Sequence, residues 1–214
     1  MKKELVRSSP EEEGIDSGLI MDFLNEMEKE GAEIHGIMII AGQKVVFEAY
    51  NAPYRADIPH ILHSYTKTFT NTAVGLAYTN GLLWLEDKVL SYFPQYADGA
   101  NEYLKALTLR DLITMRSGQV RGIGGNEWRP LATSWTDAYF QVPWTEMPGK
   151  RFLYSSGNSY ILSAVVQKVT GKTCYEYLQE HLLPEIGIGA FTWQTSPEGI
   201  CSGGNGISLC VEDM

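Results

Sequence analysis

The 214-residue chain predicts a mixed α/β fold, and three observations carry that reading. Two apolar runs, Gly36-Ile37-Met38-Ile39-Ile40-Ala41 and Val45-Val46-Phe47-Glu48-Ala49-Tyr50, flank Gly42-Gln43, as in a tight hairpin. Phe69, Ala73, Leu76 and Ala77 recur at helical spacing, and Asn80-Gly81 supplies a stop. Tyr160, Ile161, Ala164, Val165 and Val169 mark one face of a further helix that Gly171 ends.

Taken in order, the remaining elements fit around these. Asp16 or Ser17 can cap a first helix whose apolar stripe is Leu19, Ile20, Phe23, Leu24 and Met27, with Gly31 as its end. Pro53 and Pro59 bound a loop leading to Ser64. Thr108-Leu109-Arg110-Asp111 offers a capping box for a helix through Met115, which Ser117-Gly118 closes. Residues 118–151 are rich in Gly, Trp and Pro with little periodicity, the pattern of a long surface excursion, and such loops often carry function. Within it, Trp128, Trp135 and Trp144 can line an apolar cleft or pack in the core. Thr173-Cys174-Tyr175-Glu176 is a second capping box, opening a helix that Pro184 closes.

Composition narrows the function. The chain is 44% hydrophobic and 20% charged, an ordinary globular balance, and its length favours one domain of two lobes. A net charge of −9 argues against nucleic acid or an anionic membrane as partner. No apolar run is long enough to span a membrane. No apolar stretch of signal-peptide type follows Met1-Lys2-Lys3-Glu4, so the chain as written reads as cytoplasmic, exported only if a signal was removed. Cys174, Cys201 and Cys210 are too few for a disulfide framework; Cys201 and Cys210 can pair in an oxidising compartment, but reduced thiols are expected. No zinc-type spacing occurs, and neither metal nor cofactor is expected.

The stretch with chemical content is His63-Ser64-Tyr65-Thr66-Lys67. Residues at i and i+3 share a helix face, so the ammonium of Lys67 can approach the hydroxyl of Ser64. A serine hydroxyl is a weak nucleophile and needs a nearby base. A lysine serves as one only where burial or neighbouring positive charge favours its neutral form. A helix N-terminus beside the serine would favour a developing oxyanion. Taken alone, Ser-x-x-Lys is most often a solvated helix face.

With its surroundings, the chain resembles the serine β-lactamase and penicillin-binding-protein superfamily, in the branch holding class C β-lactamases, D,D-carboxypeptidases, D-aminopeptidases and related esterases. The matching stretches are Glu12-Glu13-Gly14-Ile15-Asp16, Ser64-Tyr65-Thr66-Lys67, residues 81–94, Leu107-Thr108-Leu109-Arg110-Asp111-Leu112-Ile113, Met147-Pro148-Gly149 and residues 152–187. The resemblance implies a β-lactamase/transpeptidase-like fold with a helical lobe and an antiparallel sheet lobe. It implies Ser64 as nucleophile forming an acyl-enzyme, Lys67 as proton acceptor or electrostatic support, and Tyr154 as base or relay. Where the family has Tyr-x-Asn, this sequence has Tyr154-Ser155-Ser156. Ser156 therefore takes the substrate-binding asparagine's place, and Asn158 either offers an amide from the next turn or caps the helix.

The family's third motif, Lys/His-Thr/Ser-Gly on a later strand, has no match in the right place. The chain reads as a truncated member whose sheet lobe is incomplete. Residues 1–62 hold the helix and hairpin of the sheet lobe, 63–190 the mainly helical lobe, and 191–214 the start of the return. A second copy, a second chain or a missing C-terminal segment would then complete the sheet. The resemblance implies a serine hydrolase for a β-lactam, D-amino-acid peptide or carboxylic ester, weak in this form. Two alternatives stand beside it: a penicillin-sensing module that acylates without turnover, and an inert family member.

Overall fold

A computed structural model describes residues 4–125, 127–128 and 130–214. Its helices are α1 (Ser17–Lys29), α2 (Thr66–Thr79), α3 (Val89–Tyr92), α4 (Glu102–Ala106), α5 (Leu109–Ile113), α6 (Trp135–Phe140), α7 (Ser156–Thr170) and α8 (Cys174–His181). Its strands are β1 (Gly36–Ala41), β2 (Lys44–Tyr50), β3 (His60–Ile61), β4 (Thr192–Trp193) and β5 (Ile207–Leu209). The chain divides into two compact units. One comprises the chain through Ile61, Glu185–Gly189 and Ser208–Met214; the other comprises Leu62–Pro184 and Ala190–Ile207.

The first unit is built on the β1–β2 hairpin. The strands are antiparallel from Gly36↔Tyr50 to Ala41↔Lys44, with a register shift between Ile39 and Ile40. Gly42 and Gln43 both take positive φ, +54° and +66°, the geometry of a two-residue turn whose twist matches the strands. The N-terminal segment pairs parallel to β2 through Arg7 and Val45. Arg7 joins Glu48 at 3.0 Å and Glu212 at 2.6 Å. β3 pairs antiparallel with His60 opposite Leu209 and Ile61 opposite Ser208. Asp16 caps α1 by accepting from the Gly18 N–H at 2.8 Å. Of the expected apolar stripe only Ile20 is buried; Leu19 and Phe23 face outward, 64% and 43% exposed.

The second unit holds the main core. Its axis is α7, in which the ten consecutive residues Gly157–Val166 are buried. A helix buried all round needs a partner for every apolar residue. α2 supplies Phe69, Ala73, Val74 and Ala77, α5 supplies Leu109 and Leu112, and α8 supplies Cys174, Tyr177 and Leu178. Both expected capping boxes form, Thr108 with Asp111 and Thr173 with Glu176. The expected continuation of α5 through Met115 does not: Ile113 is its last residue, and Met115 takes φ +56°.

Residues 118–151 contain more order than the sequence pattern predicts. Ser134 opens α6 there, accepting from the Asp137 N–H at 3.0 Å. Six residues are too short for a helical period to be legible. Trp128, Trp135 and Trp144 are all at least nine-tenths buried. Trp128 and Trp135 pack on each other and on Tyr160, while Trp144 packs on Tyr139 and Phe140. They are core residues of this unit.

Candidate active site

The site is assembled within the second unit, at the start of α2. Ser64 does not sit inside that helix but in a 3₁₀ turn, His63–Tyr65, that runs into it. His63 adopts φ +43°, a left-handed conformation uncommon for a residue with a side chain. That bend turns the chain sharply where Ser64 is presented, and Ser64 is exposed. Lys67, one turn on, is half-buried.

The Lys67 ammonium spends three hydrogens on three oxygens. It donates to Ser64 Oγ at 3.2 Å, to Ser156 Oγ at 3.0 Å and to the carbonyl of Gly204 at 2.7 Å. An ammonium has three donors and no acceptor, so this arrangement saturates the charged form. Tyr154 completes the group: its Oη donates to Ser64 Oγ at 2.8 Å, and Lys67 Nζ lies 4.8 Å from its ring centre. Tyr154 remains 50% exposed.

Electrostatics favour ionisation of the tyrosine. Burial raises the Tyr154 hydroxyl, but the adjacent Lys67 ammonium and the hydrogen bond with Ser64 outweigh it. The net effect holds Tyr154 below the ordinary tyrosine range.

α7 brings Ser156 in because it begins there. Ser155, extended at φ −147°, is its N-cap, and Ser155 Oγ accepts from the Ile123 N–H at 3.2 Å. Ser156 is then the first helical residue and points at Lys67. Asn158 departs from both of its expected roles. It is fully buried, its Oδ1 accepts from Tyr139 Oη at 3.0 Å, and its Nδ2 donates to Met115 Sδ at 3.7 Å. Its amide is committed to the interior, and the cap position belongs to Ser155.

One participant escaped the sequence reading. Gly204 lies 137 residues from Lys67, and only the run Gly203-Gly204-Asn205-Gly206 hinted at a close approach of backbone. All three cysteines are free, with Cys174 and Cys201 buried. Among the described residues, no group of three or more His, Cys, Asp and Glu is placed to hold a metal ion. Among them, too, no helix is long and apolar enough to cross a membrane.

Ser64, Lys67 one turn on, Tyr154 from the segment before α7 and Ser156 at the start of that buried helix thus form one hydrogen-bonded cluster. The Beta-lactamase family profile matches residues 24–200, and the chain belongs to that family. Its fold is β-lactamase/transpeptidase-like. A relative from Escherichia coli K12 bearing the name "Putative D-alanyl-D-alanine carboxypeptidase" is 22% identical over 217 residues, covering 86% of this chain and 49% of that protein. The 6-aminohexanoate-dimer hydrolase of Paenarthrobacter ureafaciens is 24% identical over 194 residues, covering 83% and 49%. Among solved structures, the octameric penicillin-binding protein homologue from Pyrococcus abyssi superposes with a TM-score of 0.69 at 21% identity, covering 93% of this chain and 55% of that one. The chain thus spans about half the length of the curated relatives it matches.

Proposed function

We propose that the chain carries the acylation site of a serine hydrolase, with Ser64 as nucleophile, Tyr154 as general base and Lys67 as a fixed positive charge. The observation that carries this reading is the placement of Ser64 Oγ 2.8 Å from Tyr154 Oη and 3.2 Å from Lys67 Nζ. Ser64 Oγ attacks an acyl carbon, and its proton passes to the Tyr154 oxygen. Lys67, already donating to oxygens on three sides, keeps its charge and steadies the phenolate. Tyr154 then returns the proton to the leaving atom, and water resolves the acyl-enzyme by the same route in reverse. The first-turn N–H groups of α2 favour the oxyanion.

The substrate class is a small amide, β-lactam or ester. Two relatives named for a carboxypeptidase and a dimer hydrolase favour an amide-type bond. A second reading, a module that acylates but turns over slowly, is favoured by one observation. Ser156 binds Lys67 where the family has an asparagine amide, and a hydroxyl offers a substrate shorter reach and fewer hydrogen bonds.

Three reagents test the proposal on the full chain. A fluorophosphonate should add one phosphonyl group at Ser64 by mass spectrometry, and Ser64→Ala should abolish it. A chromogenic ester should then turn over steadily. A chromogenic cephalosporin that gives one stoichiometric burst and stops would favour the sensing module instead. Absence of labelling by every reagent, or labelling that survives Ser64→Ala, would refute the nucleophile assignment.

A further inference from the structure

The segment from Ser202 to Ile207 makes a series of polar contacts with the first turns of α2. Thr70 Oγ1 donates to the Gly203 carbonyl at 2.7 Å, and Thr70 is fully buried. Lys67 Nζ donates to the Gly204 carbonyl at 2.7 Å. The Ile207 N–H donates to Oγ1 of fully buried Thr66 at 3.3 Å. Thr66 and Thr70 are four residues apart, on one helix face, with Lys67 beside them.

On its other side the segment lies flush against the start of α7. A Cβ on Gly204 would stand 2.7 Å from Ser156 Cβ and 3.1 Å from Ser156 Oγ. Gly203, at φ +67°, would drive a Cβ into the Ser159 carbonyl. Glycine at both positions lets the chain lie between the two helices closely enough to offer its carbonyls to α2. Of the three oxygens that Lys67 meets, the Gly204 carbonyl is the nearest. It is also the one that neither rotates about χ1 nor carries a proton.

We propose that the Gly203–Gly204 segment is a positioning device, which fixes the Lys67 ammonium between Ser64 and Ser156 and is itself held by Thr70. The kinetic consequence rests on Ser64 being the nucleophile; the anchoring of Lys67 does not. Two variants separate these: Gly204→Ala, which inserts a methyl between the segment and Ser156, and Thr70→Val, which removes the second tether without changing volume much. Gly75→Ala in α2 is the control, since its Cβ would meet nothing within 4 Å.

Two measurements are made on the full chain. One is the rate at which acetic anhydride acetylates Lys67, followed by peptide mass spectrometry, which needs no catalysis. The other is the pH dependence of fluorophosphonate labelling at Ser64. Gly204→Ala should speed Lys67 acetylation and slow labelling, each by about tenfold or more, as expected for an ångström-scale misplacement. Its labelling should also need a higher pH, because a released ammonium no longer favours the phenolate of Tyr154. Thr70→Val should move both readouts the same way by less, and Gly75→Ala neither. Unchanged Lys67 reactivity in both folded variants overturns the proposal. Raised Lys67 reactivity with no labelling of any form supports the positioning device and refutes the nucleophile reading. Should Gly204→Ala fail to fold, Thr70→Val decides alone.

Discussion

In the proposed mechanism, Tyr154 gives the chemistry of the site its pH dependence. Its hydroxyl is held below the ordinary tyrosine value, against the opposing effect of burial, by Lys67 and Ser64. A base must be deprotonated, so labelling of Ser64 should climb as pH rises through this lowered value, below the ~10 of a free tyrosine. Tyr154→Phe should remove that limb and slow labelling by roughly 10²- to 10⁴-fold. A limb that persists in Tyr154→Phe would assign the base elsewhere. A second residue-scale effect lies away from the site, at Glu198. It is partly desolvated, but the Thr136 N–H donates to it at 3.0 Å and Ser134 Oγ at 2.9 Å, and its pKa falls to about 2. A depressed carboxylate stabilises the fold above its unfolded value, and that contribution is lost as pH falls through about 2. Glu198→Gln should lower Tm at neutral pH by a few degrees, as for loss of a cap of about 1 kcal/mol. The gap to the unsubstituted chain should narrow as pH drops from about 4 towards 2. A gap that does not change with pH would show that the carboxylate charge is not what stabilises α6. Neither contact was legible in the sequence, since Ser134 and Glu198 are 64 residues apart and no local pattern links them. Ser64 and Lys67 were legible because i and i+3 fix their proximity locally.

At the scale of elements, what the sequence made readable were signals completed within a few residues. The Asp16 cap, the Gly42-Gln43 turn and the two capping boxes each close within four residues, and each forms. What it left unread depended on tertiary packing: α6 is under two turns long, and the three tryptophans gave no sign of whether they faced in or out. Asn158 shows the same limit at the site itself. As a polar residue near a helix start it read as a cap or a ligand, but packing places it under Tyr139 and Met115. Its role as a buried hydrogen-bonding partner makes a prediction for α7. Asn158→Leu deletes the acceptor of the fully buried Tyr139 hydroxyl and should cost about 1–3 kcal/mol, measured by denaturant unfolding. Because the side chain does not reach Lys67 or Ser64, the rate of Ser64 labelling in the folded fraction should stay within about twofold of the original. A collapse of labelling without loss of stability would return Asn158 to the site.

For the molecule as a whole, the two units differ in how much each buries. In the second, Tyr160, Ile161, Leu162, Val165 and Val166 of α7 are all at most 1% exposed. Each such side chain contributes about 1.5–3 kcal/mol on burial. In the first, α1 is nearly as long as α7, but only Ile20 is buried. Leu19, Met21 and Phe23 stand more than 40% exposed, and an open cleft of about 360 Å³ is lined by Leu24, Met27, Ile37 and Ala49. Side chains that line a water-accessible cleft bury little apolar surface on that side, and local opening is governed by the apolar packing that must break. Amide hydrogen exchange should therefore separate the units. The amides of α1 should exchange by local opening, at least a hundredfold faster than the interior amides of α7, a gap of about 2.7 kcal/mol or more. Raising denaturant to values below the unfolding midpoint should leave the α1 rates nearly flat while those of α7 climb towards the global opening limit. Filling the cleft tests the cause directly. Ala49→Leu extends a side chain into the cleft from the hairpin and should slow exchange in α1 without altering that in α7. Equal protection in α1 and α7 would mean that the exposed face of α1 is covered in solution and that the burial difference does not set the local stability.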